Sequence, residues 1–159
     1  MIDSATIRYP VHLAVPFSLH PGFDDQGDVN RPQNSAAAPG ERLLGKRILI
    51  VEDQALLALE LQFAFEDEGA EVIGPALSLP AARQTVIEGT EIDLAVLDVD
   101  LAGADVYPVA AMLQQRGVPF VFHTGHGTEA EIHAHFPAAT ICIKPTLPAT
   151  LIAQLLLLG

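Results

Sequence analysis

The stretch Leu94-Ala95-Val96-Leu97-Asp98-Val99-Asp100-Leu101-Ala102-Gly103 decides how this chain is read. Four consecutive apolar residues from Leu94 suit a strand buried on both faces, and the run then breaks into carboxylates. Asp98 is thereby delivered to the carboxyl-terminal lip of that strand. A carboxylate there is costly unless a cation or hydrogen-bond donors stabilise it. In an open parallel sheet the carboxyl ends of the strands are also where ligands bind, so Asp98 is a candidate site residue.

Working outward, the neighbouring segments alternate between strand and helix signals. Arg47-Ile48-Leu49-Ile50-Val51 reads as a strand, and Ala55 to Gly69 mixes Leu57, Leu59, Leu61, Phe63, Ala64 and Phe65 with Glu60, Glu66, Asp67 and Glu68 as a helix that stops at Gly69. Glu71 to Ala76 is a shorter strand. Ser78 caps a helix that ends at Gly89. Beyond the central strand, Asp93 to Leu97, the order is a helix over Val106–Arg116, a strand from Pro119 to His123 ending at Thr124-Gly125, and a weak helix over Glu129–Phe136. A strand over Thr140–Ile143, then Lys144-Pro145, then a helix over Pro148–Leu158 complete it. Five strands alternating with five helices imply right-handed crossovers and a doubly wound α/β domain, its five-stranded parallel sheet in the order 2-1-3-4-5. In that order the ends of strands 1, 3, 4 and 5 bring together Glu52 and Asp53, Asp98 and Asp100, Thr124, and Lys144.

Composition sets the class. Half of the 159 residues are apolar and 18% are charged, which fits one folded domain. Lys and Arg number 8 against 20 Asp and Glu, a net charge of -12 that repels phosphate backbones and anionic lipid, so direct nucleic-acid or membrane binding is not expected. The single cysteine, Cys142, excludes an internal disulfide and reads as a small core residue. No apolar run approaches the ~20 residues of a membrane span, and the N-terminus lacks an export signal, so a cytoplasmic location is expected. Residues 1–44 read as an irregular N-terminal extension, rich in proline and turn residues apart from the apolar patch Val11–Val15, and residues 45–159 as the folded domain.

The strand ends carry the chemistry. Carboxylates a few ångströms apart repel one another unless a cation intervenes, and an all-oxygen set with room for water and phosphate suits Mg2+. Asp98 would then be a carboxylate nucleophile of the aspartyl-phosphate kind. Thr124 can donate a hydroxyl to a phosphoryl oxygen, and Lys144 can place an ammonium on another. Asp100 is a rival nucleophile, but its offset from the strand end makes it a loop group. Taken singly, Asp98 could merely cap a loop, Thr124 could be a turn residue and Lys144 a surface charge. His123, His126, His133 and His135 lack the cysteine or acid spacing of a zinc site. Glu66-Asp67-Glu68 reads as a solvated helix end.

The ordered set Glu52-Asp53, Asp98, Thr124 and Lys144-Pro145, on five strand and helix units across residues 45–159, resembles the receiver domain of two-component response regulators, with a flavodoxin-like, CheY-like fold. Pro119 to Gly125, together with Asp98-Val99-Asp100-Leu101 and Val106-Tyr107-Pro108-Val109, is similar to the stand-alone receivers of the FAT GUY group, found mostly in alphaproteobacteria. The resemblance implies a bacterial phosphoprotein of a two-component phosphorelay. Asp98 would accept a phosphoryl group from a histidine kinase or histidine phosphotransfer protein. It further implies that Asp53 and Asp98 hold Mg2+ with the backbone carbonyl of Asp100, and Glu52 through water, and that Thr124 and Lys144 respond to the phosphate. Two positions depart from the pattern. Ile141 stands where receivers usually carry a switching Tyr or Phe, and His123 stands where the group has a small residue, with His126 close after it.

The short segment after Lys144 leads us to expect no DNA-binding or enzymatic output domain, and no enzyme activity beyond the chain's own phosphorylation and dephosphorylation. The alternative function is a phosphorylation-independent protein-binding module with the same fold. A haloacid dehalogenase-like phosphatase fits less well, because its Asp-x-Asp pattern follows the first strand. From Leu147 to Gly159 no residue is charged, and Leu151, Ile152 and Leu155 to Leu158 cover more of the helix than one buried face needs. A homodimer or obligate partner contact through this helix and the fifth strand is therefore expected.

Overall fold

The structure is a computed structural model that describes residues 40–125 and 129–159; the extension's apolar patch and His126 lie outside the described residues. Strand β1 (Arg47–Val51) is hydrogen-bonded on one side to β2 (Glu71–Ala76) and on the other to β3 (Leu94–Leu97), the middle strand of the sheet. After a two-stranded hairpin, β4 (Asp100–Leu101) and β5 (Ala104–Asp105), the sheet continues with β6 (Phe120–Thr124) and β7 (Thr140–Ile143). The five-stranded sheet runs β2-β1-β3-β6-β7 and every pairing in it is parallel, which is the 2-1-3-4-5 order expected from sequence. Helices α1 (Ala55–Glu66), α2 (Leu79–Ile87), α3 (Tyr107–Gln115), α4 (Glu129–His135) and α5 (Pro148–Leu158) connect or follow the strands.

Strand alternation splits the core in two. Leu49, Val51, Ala95, Leu97 and Phe122 pack with residues of α2, α3 and α4, while Ile48, Ile50, Leu94, Val96 and Val121 pack with Leu61 and Phe65 of α1 and Leu151, Ile152 and Leu155 of α5. Because both faces are covered, β3 is buried at all four positions, as its unbroken apolar run requires.

Local chemistry sets the element ends. The sequence placed Asp93 in the central strand, but the strand starts at Leu94. The Asp93 carboxylate is occupied by Arg47, accepting from its backbone N at 2.8 Å and from Nε and Nη2 at 2.9 Å each. Helix α1 stops at Glu66, and Gly69 reverses the chain at φ 85°; a Cβ there would lie 3.1 Å from the Cα of Leu44. Glu68 is not a solvated helix-end charge. It ion-pairs with Arg42 and accepts from the backbone N of Gly40 at 3.0 Å, and Leu43 beside them is fully buried. The hairpin was not legible in advance, since its strands hold two residues each; Ala102 at φ 54° and Gly103 at φ 89° form its tight turn.

Candidate functional site

The sheet's register brings the functional groups to one edge. β1 and β3 are aligned so that Val51 faces Leu97, which puts Glu52 and Asp98 at adjacent strand ends, and the Asp98 backbone N donates to the Val51 carbonyl at 2.8 Å. On the far side Thr124 is aligned with Ile143, and the Lys144 backbone N donates to the Thr124 carbonyl at 2.7 Å. Four neighbouring strands therefore present Glu52, Asp98, Thr124 and Lys144 in a row. Glu52, Asp98 and Thr124 are buried, at 1%, 5% and 2% exposure.

Lys144 crosses the sheet edge to the acids. Its Nζ donates to Glu52 Oε2 and to Asp98 Oδ2, each at 2.7 Å, in charge-assisted hydrogen bonds. Burial alone would lower the basicity of this ammonium, but its bonds to Asp98 and Glu52 outweigh burial and hold the pKa above the usual lysine value. Glu52 is pushed the other way. Burial raises its carboxyl above the ordinary range, the Asp98 charge adds to that, and the hydrogen bond from Lys144 opposes it.

Glu52, Asp53 and Asp98 can each offer an oxygen, and these atoms lie within 4.8 Å of one another. Three carboxylates against one ammonium leave this cluster short of positive charge when all are ionised, and the donor set is oxygen only. That combination fits a hard divalent cation such as Mg2+. Asp100 does not belong to the cluster: its side chain is exposed and accepts from the Gly103 backbone N at 2.6 Å, within the hairpin turn. Asp98, by contrast, lies within the cluster.

The remaining flagged residues separate cleanly. Ile141 is half-buried against the α2–α4 side of the core. His123 is fully buried, and among the described residues neither ring nitrogen has a hydrogen-bond partner. His135 stacks on Tyr107 with ring centroids 4.9 Å apart, and Tyr107 also contacts Phe122 and Phe136. Among the described residues the histidines form no metal cluster. The aromatic group around β6 escaped the sequence reading because its members come from three elements, and their spacing carries no local signal.

Comparison with known proteins agrees with this geometry. Residues 48–155 match the response regulator receiver domain family. The phyllosphere-induced regulator PhyR of Methylorubrum extorquens is 28% identical over 131 residues, which is 79% of this chain and 49% of PhyR; the chain thus spans about half the length of that relative. Among solved structures, a response regulator receiver protein from Sinorhizobium medicae aligns with a TM-score of 0.65 at 27% identity, covering 71% of this chain and 93% of that one. The N-terminal domain of a three-domain response regulator from Carboxydothermus hydrogenoformans aligns with a TM-score of 0.59 at 31% identity, covering 70% and 94%. With its parallel sheet ending in Glu52, Asp98, Thr124 and Lys144, and with the family match running across all five of its strands, this chain belongs to the response regulator receiver domain family.

Proposed function

We propose that the chain is a response regulator, with an N-terminal extension over residues 1–44 and a receiver over 45–159, which accepts a phosphoryl group on Asp98. The observation that carries this reading is Lys144 Nζ at 2.7 Å from both Glu52 and Asp98, at a sheet edge where Thr124 ends the neighbouring strand. The donor is a phosphohistidine on a histidine kinase or histidine phosphotransfer protein in the cytoplasm. The Asp98 carboxylate attacks phosphorus, the phosphorus–nitrogen bond breaks, and the leaving imidazole keeps the electron pair and takes a proton. Lys144 and Thr124 then hold phosphoryl oxygens, exchanging the resting contacts of Lys144 for the transferred group.

Glu52, Asp53 and Asp98, with the backbone carbonyl of Asp100, would hold Mg2+, Glu52 through a water molecule. When bound, the ion offsets repulsion between the acids and the incoming phosphoryl group. An apolar rim suits a protein donor: Leu56, in the first turn of α1 after Asp53, and Leu147, after Lys144, are 81% and 74% exposed. Homodimerisation through α5 and β7 is supported by Leu156, Leu157 and Leu158, exposed at 42%, 78% and 37%.

Incubation with acetyl phosphate and Mg2+ tests the reading. Wild-type protein gains an acid-stable, base-labile phosphate and Asp98→Asn does not. If the wild type gains none while a partner still binds it, the protein works instead as a phosphorylation-independent binding module.

A further inference from the structure

His123 directly precedes Thr124 on β6 and is 1% exposed. It lies on the strand face it shares with Val121, toward α1 and α5, opposite Cys142 of β7. Among the described residues, neither Nδ1 nor Nε2 finds a partner. Burial, with the Lys144 charge adding to it, brings the ring's pKa down to about 4, so near neutrality the ring is uncharged. It then carries one N–H donor and one lone-pair acceptor, both left unpaired. Buried polar atoms without partners are rare in folded proteins and call for a reason.

The surroundings supply one. His123 lines a groove of about 590 Å3 between α1 and the turn from β7 to α5. Lys144 forms part of the same wall, and Gln54 and Thr146 bring hydrogen-bonding groups to it. Both residues assigned to the phosphoryl oxygens thus adjoin this ring: Thr124 is its chain neighbour, and Lys144 lines the same groove. A phosphoryl group on Asp98 changes what Thr124 and Lys144 bind, and so shifts the strand ends on which the imidazole is held. An arrangement that gives the ring a partner is favoured over the resting one by the relief of its desolvation.

We infer that His123 is a positioning residue for the phosphoryl-bearing state: its imidazole is unpaired at rest and gains a hydrogen-bond partner from the groove when Thr124 and Lys144 turn to the phosphoryl group. This rests on the reading of Asp98 as phosphoacceptor. By this means an otherwise unfavourable residue biases the site toward its loaded form.

The test uses the full chain with beryllium trifluoride and Mg2+ as the phosphoryl mimic. Wild-type protein should gain thermal stability on loading. His123→Leu should melt about 4 °C higher than wild type at rest and lose a similar amount of the gain on loading. His123→Gln, which keeps a donor and an acceptor, should recover most of that gain. On wild-type protein, the His123 ring 15N signals should move from unbonded to hydrogen-bonded positions on loading, a readout that does not depend on the variants folding. Ring signals that stay put, or equal gains in wild type and His123→Leu, overturn the inference. No response to the mimic anywhere in wild type overturns the phosphoacceptor reading, and the inference falls with it.

Discussion

Replacing Lys144 by methionine keeps an unbranched stem and removes the ammonium from between Glu52 and Asp98. Its Nζ is 2.7 Å from each of two carboxylates whose side chains are only 1% and 7% exposed, while the lysine side chain itself is 17% exposed. Breaking a buried ion pair by deleting one partner costs about 3–5 kcal/mol, and the open mouth of this site argues for the lower end, ~3 kcal/mol or ~10 °C in Tm. The loss should depend on pH. Glu52 already titrates above its ordinary value because of burial, and without the opposing hydrogen bond from Lys144 its folded pKa rises further. A carboxyl whose folded pKa lies above its unfolded one binds more protons when folded, so its stability contribution falls as pH rises. The variant should therefore lose more relative to wild type at pH 8 than at pH 5. Mg2+ should recover much of the loss at pH 8, and the variant should bind the ion more tightly than wild type does. Denaturant titrations at both pH values, with and without Mg2+, measure all of this. A variant within about 1 kcal/mol of wild type at pH 8 without Mg2+ would refute the electrostatic reasoning.

Three further outcomes are expected. The neutral ring of His123, with a folded pKa of about 4, lets the unfolded chain take up a proton that the folded one excludes. Wild type should therefore lose about 2 kcal/mol more than His123→Leu between pH 7 and pH 5, and parallel pH profiles would contradict this. Asp93, held down to about 2 by the hydrogen bonds from Arg47, contributes stability above its unfolded pKa that is lost as pH falls through the folded one. Acid unfolding of Asp93→Asn should lack that component, which circular dichroism between pH 5 and pH 2 reads. Leu157, 78% exposed at the uncharged end of α5, should carry part of a self-association surface. Leu157→Glu should shift wild-type dimers to monomers in sedimentation equilibrium, and a wild type that is already monomeric removes the dimer.

How much was legible in advance follows from the range of the interactions involved. Strands β1, β2 and β7 and helix α5 begin and end where local pattern places them, because a period of two or an apolar run between turn residues is read within one segment. The strand order and the gathering of Glu52, Asp98, Thr124 and Lys144 followed from alternation together with the common 2-1-3-4-5 order of doubly wound sheets, since parallel strands joined by right-handed crossovers leave few arrangements. What escaped depends on partners distant in the chain. The Asp93 carboxylate is held by Arg47, and Glu68 by Arg42. His123 was noticed as an odd residue, but that it is buried without a partner is a property of packing from α1, β7 and the β7–α5 turn. The offset of Asp100 from the strand end already marked it as a loop group, but its turn bond to Gly103 is visible only in the fold.

The most direct measurement locates the phosphoryl group itself. Protein treated with acetyl phosphate and Mg2+ is reduced with borohydride, which converts an acyl phosphate to an alcohol, and is then digested and sequenced by mass spectrometry. We expect the modified residue to be Asp98, with Asp100 and Asp53 unchanged and no modification in Asp98→Asn. Modification at Asp100 or Asp53, or undiminished modification in the Asp98→Asn protein, would contradict the assignment of Asp98 as the phosphoacceptor.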